Sequence, residues 1–153
     1  MNYCQNALFL LSILLLFSCD CTKVDCSPPK EYFNFNIVDS VDSTDLVFGD
    51  EAIYRPEELR IYTEVESFRI YYNLVLLHDA IDGKPSLGIR CENVLNEVFY
   101  IDFGNGDVDR LELSFGTIDT ECCGEYQRLN SVSFNGISVS LPVGEFESVI
   151  LGK

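Results

Sequence analysis

From Phe33 onward, apolar residues recur at every second position. In Phe33-Asn34-Phe35-Asn36-Ile37 one face is oily and the other wet, the period-2 signature of a half-buried strand. Leu46-Val47-Phe48 reads as a short strand ended by Gly49-Asp50, and Arg55-Pro56-Glu57-Glu58 as a bend. Leu59, Ile61, Thr63 and Val65 alternate again, with Arg60, Tyr62 and Glu64 opposite. Phe68 to Leu77 is the longest apolar stretch after the first twenty residues. Its second half does not alternate, which predicts burial on both faces or a central strand, with a helix as the rival reading. Asp82-Gly83-Lys84-Pro85 bounds it as a turn, and Leu87 to Arg90 is a weak strand.

Two hairpins follow. Phe99, Ile101 and Phe103 lead through Gly104-Asn105-Gly106-Asp107 into Leu111, Leu113 and Phe115. Val132 and Phe134 lead through Asn135-Gly136 into Ile137, Val139 and Leu141. Asn-Gly between alternating apolar residues is the type I′ signature. Phe146 to Leu151 is a closing strand. About eight to nine short antiparallel strands and no amphipathic helix predict an all-β single sandwich of immunoglobulin-like topology, with a barrel as the alternative.

The first residues differ in kind. Ala7 to Phe17 is an apolar run of eleven residues, too short for a spanning helix, which needs about twenty. It fits a signal h-region. Leu14-Leu15-Leu16-Phe17-Ser18-Cys19 resembles the lipobox of a bacterial lipoprotein signal peptide. The resemblance implies cleavage before Cys19 and a lipid on that cysteine. The n-region departs from the usual pattern, since Met1 to Asn6 contains no Lys or Arg. The division is then a signal peptide over 1–18, a tether over 19–30 stiffened by Pro28-Pro29, and the sandwich over 31–153. Tyr100 to Asp109, Cys122-Cys123 and Phe134-Asn135-Gly136 are similar to small lipoproteins of the Bacteroidota kind. That likeness implies a β-sandwich and carries over no catalytic residue. Together the two resemblances imply a cell-envelope protein anchored to the outer membrane.

Composition adds limits. The formal net charge is −15, and a surface that acidic repels phosphates, so nucleic acid is excluded as a partner. The partners this leaves are the membrane, through the lipid on Cys19, and a protein or glycan. Seven cysteines suit an oxidising compartment. Cys21, Cys26, Cys91, Cys122 and Cys123 are the disulfide candidates. Cys91 joined to Cys122 or Cys123 would close a loop of about thirty residues, with about 3–4 kcal/mol of stabilisation.

Candidate chemistry is sparse. The single histidine, His78, stands at a strand end, and no nucleophile elbow or His-Glu-x-x-His is present. The chain is therefore read as no enzyme and as needing no cofactor, with a carboxylate-based glycan hydrolase as the remaining catalytic alternative. Asp102, Asn105, Asp107 and Asp109 crowd one hairpin loop and offer the hard oxygens that Ca²⁺ takes. The loop of Asp39, Asp42 and Asp45 has a similar composition. Tyr62, Tyr71 and Tyr100 fall on the polar faces of their strands, as does Tyr32. A row of such rings could stack on sugars or meet a protein, which makes a carbohydrate-binding accessory the second reading.

Overall fold

A computed structural model describes residues 32–78, 83–91, 96–120, 122, 124–142 and 148–153. The lipobox, Cys19, Cys21, Cys26 and Cys123 lie outside the described residues. Ten strands are described: β1 Tyr32–Val38, β2 Arg60–Val65, β3 Phe68–Tyr72, β4 Leu74–His78, β5 Pro85–Arg90, β6 Asn96–Asp102, β7 Val108–Thr120, β8 Gly124–Phe134, β9 Ile137–Val139 and β10 Val149–Gly152. They form a four-stranded sheet, β10-β1-β5-β4, and a six-stranded sheet, β3-β2-β6-β7-β8-β9.

Alternation explains why the sheets face each other. Phe33, Phe35 and Ile37 of β1 and Leu87 and Ile89 of β5 point inward from the smaller sheet. Ile61, Phe99, Ile101, Leu111, Leu113, Val132 and Phe134 point inward from the larger one, and all belong to a single buried cluster. This is the two-layer sandwich, not a closed barrel. Its order follows the immunoglobulin plan: β1-β5-β4 take the places of strands B, E and D, and β3-β2-β6-β7 those of C′, C, F and G. The edge beside β1 is taken by β10, which runs parallel to it. β8 and β9 extend the larger sheet beyond the G position.

Several elements differ from the sequence reading. Phe68 to Leu77 is not one buried strand. It breaks at Asn73 into β3 and β4, which lie at the edges of different sheets. An edge strand has one neighbour and little cover, so Phe68 is 75% exposed and Ile70 and Leu76 are also open. Leu87 to Arg90, read as weak, belongs to the best-buried strand of the smaller sheet. Leu46-Val47-Phe48 is not a strand, because the Asp45 carboxylate accepts hydrogen bonds from the Val47 and Phe48 backbone N–H groups, each at 2.8 Å. The β7–β8 hairpin runs to Thr120 and Gly124, well past the alternating segment. Its register shifts at Ser114/Phe115, and outward from there the side chains whose burial is described are only half-buried or exposed.

Turn chemistry sets the register of two hairpins. Asn135 and Gly136 both adopt positive φ, 51° and 80°, as a type I′ turn requires. The β2–β3 turn uses the same conformation without glycine, at Glu66 (φ 48°) and Ser67 (φ 74°). A side chain in that region costs about 1–2 kcal/mol. Ser67→Gly is therefore expected to stabilise the fold by about 0.5–1 kcal/mol, net of the entropy glycine adds to the unfolded chain. Urea denaturation checks it: the midpoint rises and the slope is unchanged.

Candidate functional site

The predicted tyrosines come together. Strand register sets Tyr62 opposite Tyr71 of β3 on one side and opposite Tyr100 of β6 on the other. The Tyr62 and Tyr100 rings stack with centroids 5.3 Å apart, and Tyr71 tilts onto Tyr62 at 5.6 Å. All three stand on the outer face, because their neighbours Ile61, Phe99 and Ile101 occupy the inner one. Arg110 of β7, opposite Tyr100, continues the row.

The row is not three open rings. Tyr62 is only 2% exposed, whereas Tyr71 is 59% exposed and Tyr100 is half-buried. Tyr62 lies beneath its two neighbours, and the Arg69 guanidinium covers it at 4.4 Å from the ring centroid. Arg69 is held in turn by Glu64 at 3.3 Å. Burial pushes the Tyr62 phenol up, with the Arg69 charge opposing. Tyr62 is thus a support, and Tyr71 and Tyr100 carry the accessible aromatic surface. Tyr32 sits on β1, in the other sheet, and shares no face with them.

An open cleft of about 600 Å³ adjoins Tyr71 where the chain passes from β3 to β4, with Glu57, Arg60 and Asn73 among its polar lining. Arg60 Nη1 donates to the carbonyls of Glu57 at 2.7 Å and Leu59 at 2.9 Å, which fixes the guanidinium at the rim. Glu57 is the one carboxylate among the lining residues, so a two-carboxylate hydrolytic pair is not assembled there. His78 is exposed at the end of β4.

The acidic hairpin loop serves its own backbone and a lysine. Asp102 Oδ1 accepts from Gly104 N at 2.9 Å, and Asn105 Oδ1 from Asp107 N at 2.9 Å. Asp107 and Asp109 each bind the Lys153 ammonium, at 2.8 and 2.6 Å. The same ammonium lies 4.1 Å from the Phe103 ring centroid. Asn135 Nδ2 donates to Asp109 Oδ1 at 2.9 Å, so both oxygens of that buried carboxylate are satisfied. Tyr54 donates its phenol proton to Asp107 at 3.4 Å. In the other acidic loop, Asp39 and Asp42 accept backbone N–H groups of Val41 and Thr44. No group of three or more metal-binding side chains is assembled among the described residues.

Of the expected links from Cys91 to Cys122 or Cys123, the one to Cys122 is not formed among the described residues, and Cys123 lies outside them. Cys91 follows β5 in the smaller sheet and packs against the core, with its sulfur donating to the Ile89 carbonyl at 3.6 Å. Cys122 is half-buried in the turn at the tip of the β7–β8 hairpin, which belongs to the larger sheet. The Lys153 contacts were not anticipated from sequence. A terminal lysine and an acidic loop carry no local signal of their pairing.

No family model matches this chain, and no curated protein or solved structure matches it.

Two predictions test this geometry. The first concerns Lys153. Its hydrogen bond holds the Asp107 carboxyl below the ordinary 3.8, against the opposing effect of burial. Burial disfavours the Lys153 charge, but hydrogen bonds to Asp107 and Asp109 outweigh it and raise the ammonium above 10.5. The Asp107 contribution is present above pH 3.8 and is lost as pH falls through its lowered value. The Lys153 contribution is present below pH 10.5 and is lost as pH rises through its raised value. Lys153→Met should cost about 1–3 kcal/mol at neutral pH, because it leaves Asp109 buried with one partner fewer. The deficit against wild type should shrink toward both pH extremes in urea titrations. The second prediction concerns the rings. A double-mutant cycle of Tyr62→Ala and Tyr100→Ala should return a coupling of about 0.5–1.5 kcal/mol, the range for a stacked aromatic pair.

Proposed function

We propose that this protein is a lipid-anchored cell-envelope protein, held at the outer membrane by a lipid on Cys19, with a binding, adhesion or assembly role for its sandwich. The observation that carries the binding role is the tyrosine row: an aromatic surface on the outer face of the six-stranded sheet, presenting Tyr71 and Tyr100 on a buried support. Rings already held by stacking lose little freedom when a ligand covers them, which favours recognition. The anchor rests on the apolar run ending at Ser18-Cys19, and the Pro28-Pro29 segment would hold the sandwich off the bilayer. The disulfide candidates are Cys21, Cys26, Cys91, Cys122 and Cys123, and pairing among them in an oxidising envelope belongs to the same proposal. Adjacent cysteines bond each other only under strain, so Cys122 and Cys123 would not pair with each other.

Fractionation of cells labelled with a fatty acid tests the anchor. Wild type is expected in the membrane fraction with label. Cys19→Ala is expected unlabelled and soluble or unprocessed, since each lost CH₂ removes about 0.8 kcal/mol of burial. The variant should fold normally, because Cys19 precedes the first described strand by thirteen residues. Label on Cys19→Ala, or a soluble wild type, overturns the anchor. Mass spectrometry of the same non-reduced material reads the cysteine pairs, and unmodified thiols at all five candidates would overturn the pairing.

A further inference from the structure

The cleft beside Tyr71 has a chemistry of its own. We infer that it is a subsite for one unit of a neutral polysaccharide, seated on the Tyr71 ring. The inference rests on the binding role of the tyrosine row and names its ligand class.

Several observations converge. The Tyr71 ring is 59% exposed, lines the cleft and leans on Tyr62, so an aromatic surface is held in place at its wall. The negative face of such a ring attracts the weakly positive C–H bonds on the flat side of a pyranose. Arg60, Glu57 and Asn73 surround it. Together they offer fixed N–H donors, a carboxylate acceptor and an amide that does both, the set that hydroxyl groups need. Arg60 and Glu57 cancel in formal charge, so the cleft selects neither a cation nor an anion. Around it the whole chain carries −15, which repels uronates, sulfates and phosphates. The volume of about 600 Å³ falls within the range of small-ligand sites. An open cleft at a sheet edge also lets a polymer enter and leave. A single carboxylate in the lining gives retention of the sugar without its cleavage.

The test uses the full chain, isotopically labelled and held in detergent micelles, titrated by nuclear magnetic resonance. The probes are cellohexaose, xylohexaose and mannohexaose, with hexagalacturonate as an anionic chain of equal length. At least one neutral hexasaccharide is expected to give saturable shifts centred on Tyr71, Asn73 and Arg60, with hexagalacturonate at least tenfold weaker. Tyr71→Ala should weaken binding at least tenfold, and Tyr71→Phe, which keeps the ring, should stay within about twofold of wild type. Asn73→Ala, at an exposed position, should weaken it at least threefold. If Tyr71→Ala loses its shift dispersion, Asn73→Ala and Tyr71→Phe decide by the same criteria. Absence of saturable shifts with every neutral probe, shifts centred elsewhere, indifference to Tyr71→Ala and Asn73→Ala, a loss with Tyr71→Phe as large as with Tyr71→Ala, or tighter binding of hexagalacturonate overturns the inference. A photo-crosslinking residue at Tyr100 in intact cells separates the two levels. Specific envelope protein adducts without sugar binding overturn the saccharide and leave the binding role. Neither adducts nor sugar binding overturns both.

Discussion

Two sheets are held face to face by apolar side chains. Neither β1 nor β6, which take the places of strands B and F, contains a cysteine, and the chain has no tryptophan. The inter-sheet disulfide and tryptophan that fill an antibody domain are replaced by Phe35, Ile37, Phe99, Ile101, Leu111 and Phe134, all essentially inaccessible to solvent. Every other feature depends on that burial. It fixes which face of each strand is outer, and a one-residue slip would exchange the two sets. The tyrosine row exists because Ile61 and Ile101 are inside, which leaves Tyr62 and Tyr100 opposite each other outside.

The same constraint places the cleft. The chain must leave the larger sheet to supply β4 and β5 to the smaller one, and it does so across Asn73. That crossing makes β3 and β4 edges, leaves their inward side chains thinly covered and opens the space that Tyr71 borders. One residue therefore belongs both to the aromatic row and to the cleft wall. Its backing by Tyr62, itself pinned under Arg69, is what turns an exposed side chain into a fixed surface.

Four of the aspartates and one asparagine serve backbone geometry. Asp39, Asp42, Asp45, Asp102 and Asn105 each satisfy backbone N–H groups within two or three residues, as such residues do in turns. Asp107 and Asp109 instead meet Lys153, which ends the parallel β10 ladder by donating its backbone N–H to the Val38 carbonyl. That lysine ties the rim of the smaller sheet to the β6–β7 hairpin of the larger, adding a polar clasp at one end of an apolar sandwich.

Local pattern determined a good deal. The alternation at Phe33 to Ile37, Leu59 to Val65 and Phe99 to Leu113 assigned strands and their inner faces, because a period of two has one physical solution when one side must be dry. Asn135-Gly136 announced its turn through backbone conformations few other residues tolerate. Tyr62, Tyr71 and Tyr100 were legible as outward-facing for the same reason. Tertiary structure decided what depends on neighbours. The apolar run from Phe68 to Leu77 looks central by composition, yet becomes two edges because its partners lie on one side only. Leu87 to Arg90 looks weak, yet sits between β1 and β4. Tyr62 reads like its two companions and is buried by them. Asp107 and Asp109 read as oxygen ligands and receive an ammonium from 44 residues away along the chain in the case of Asp109. Periodicity reports the environment on either side of a strand, but strand order, cover and charge partners are set by segments far away in sequence.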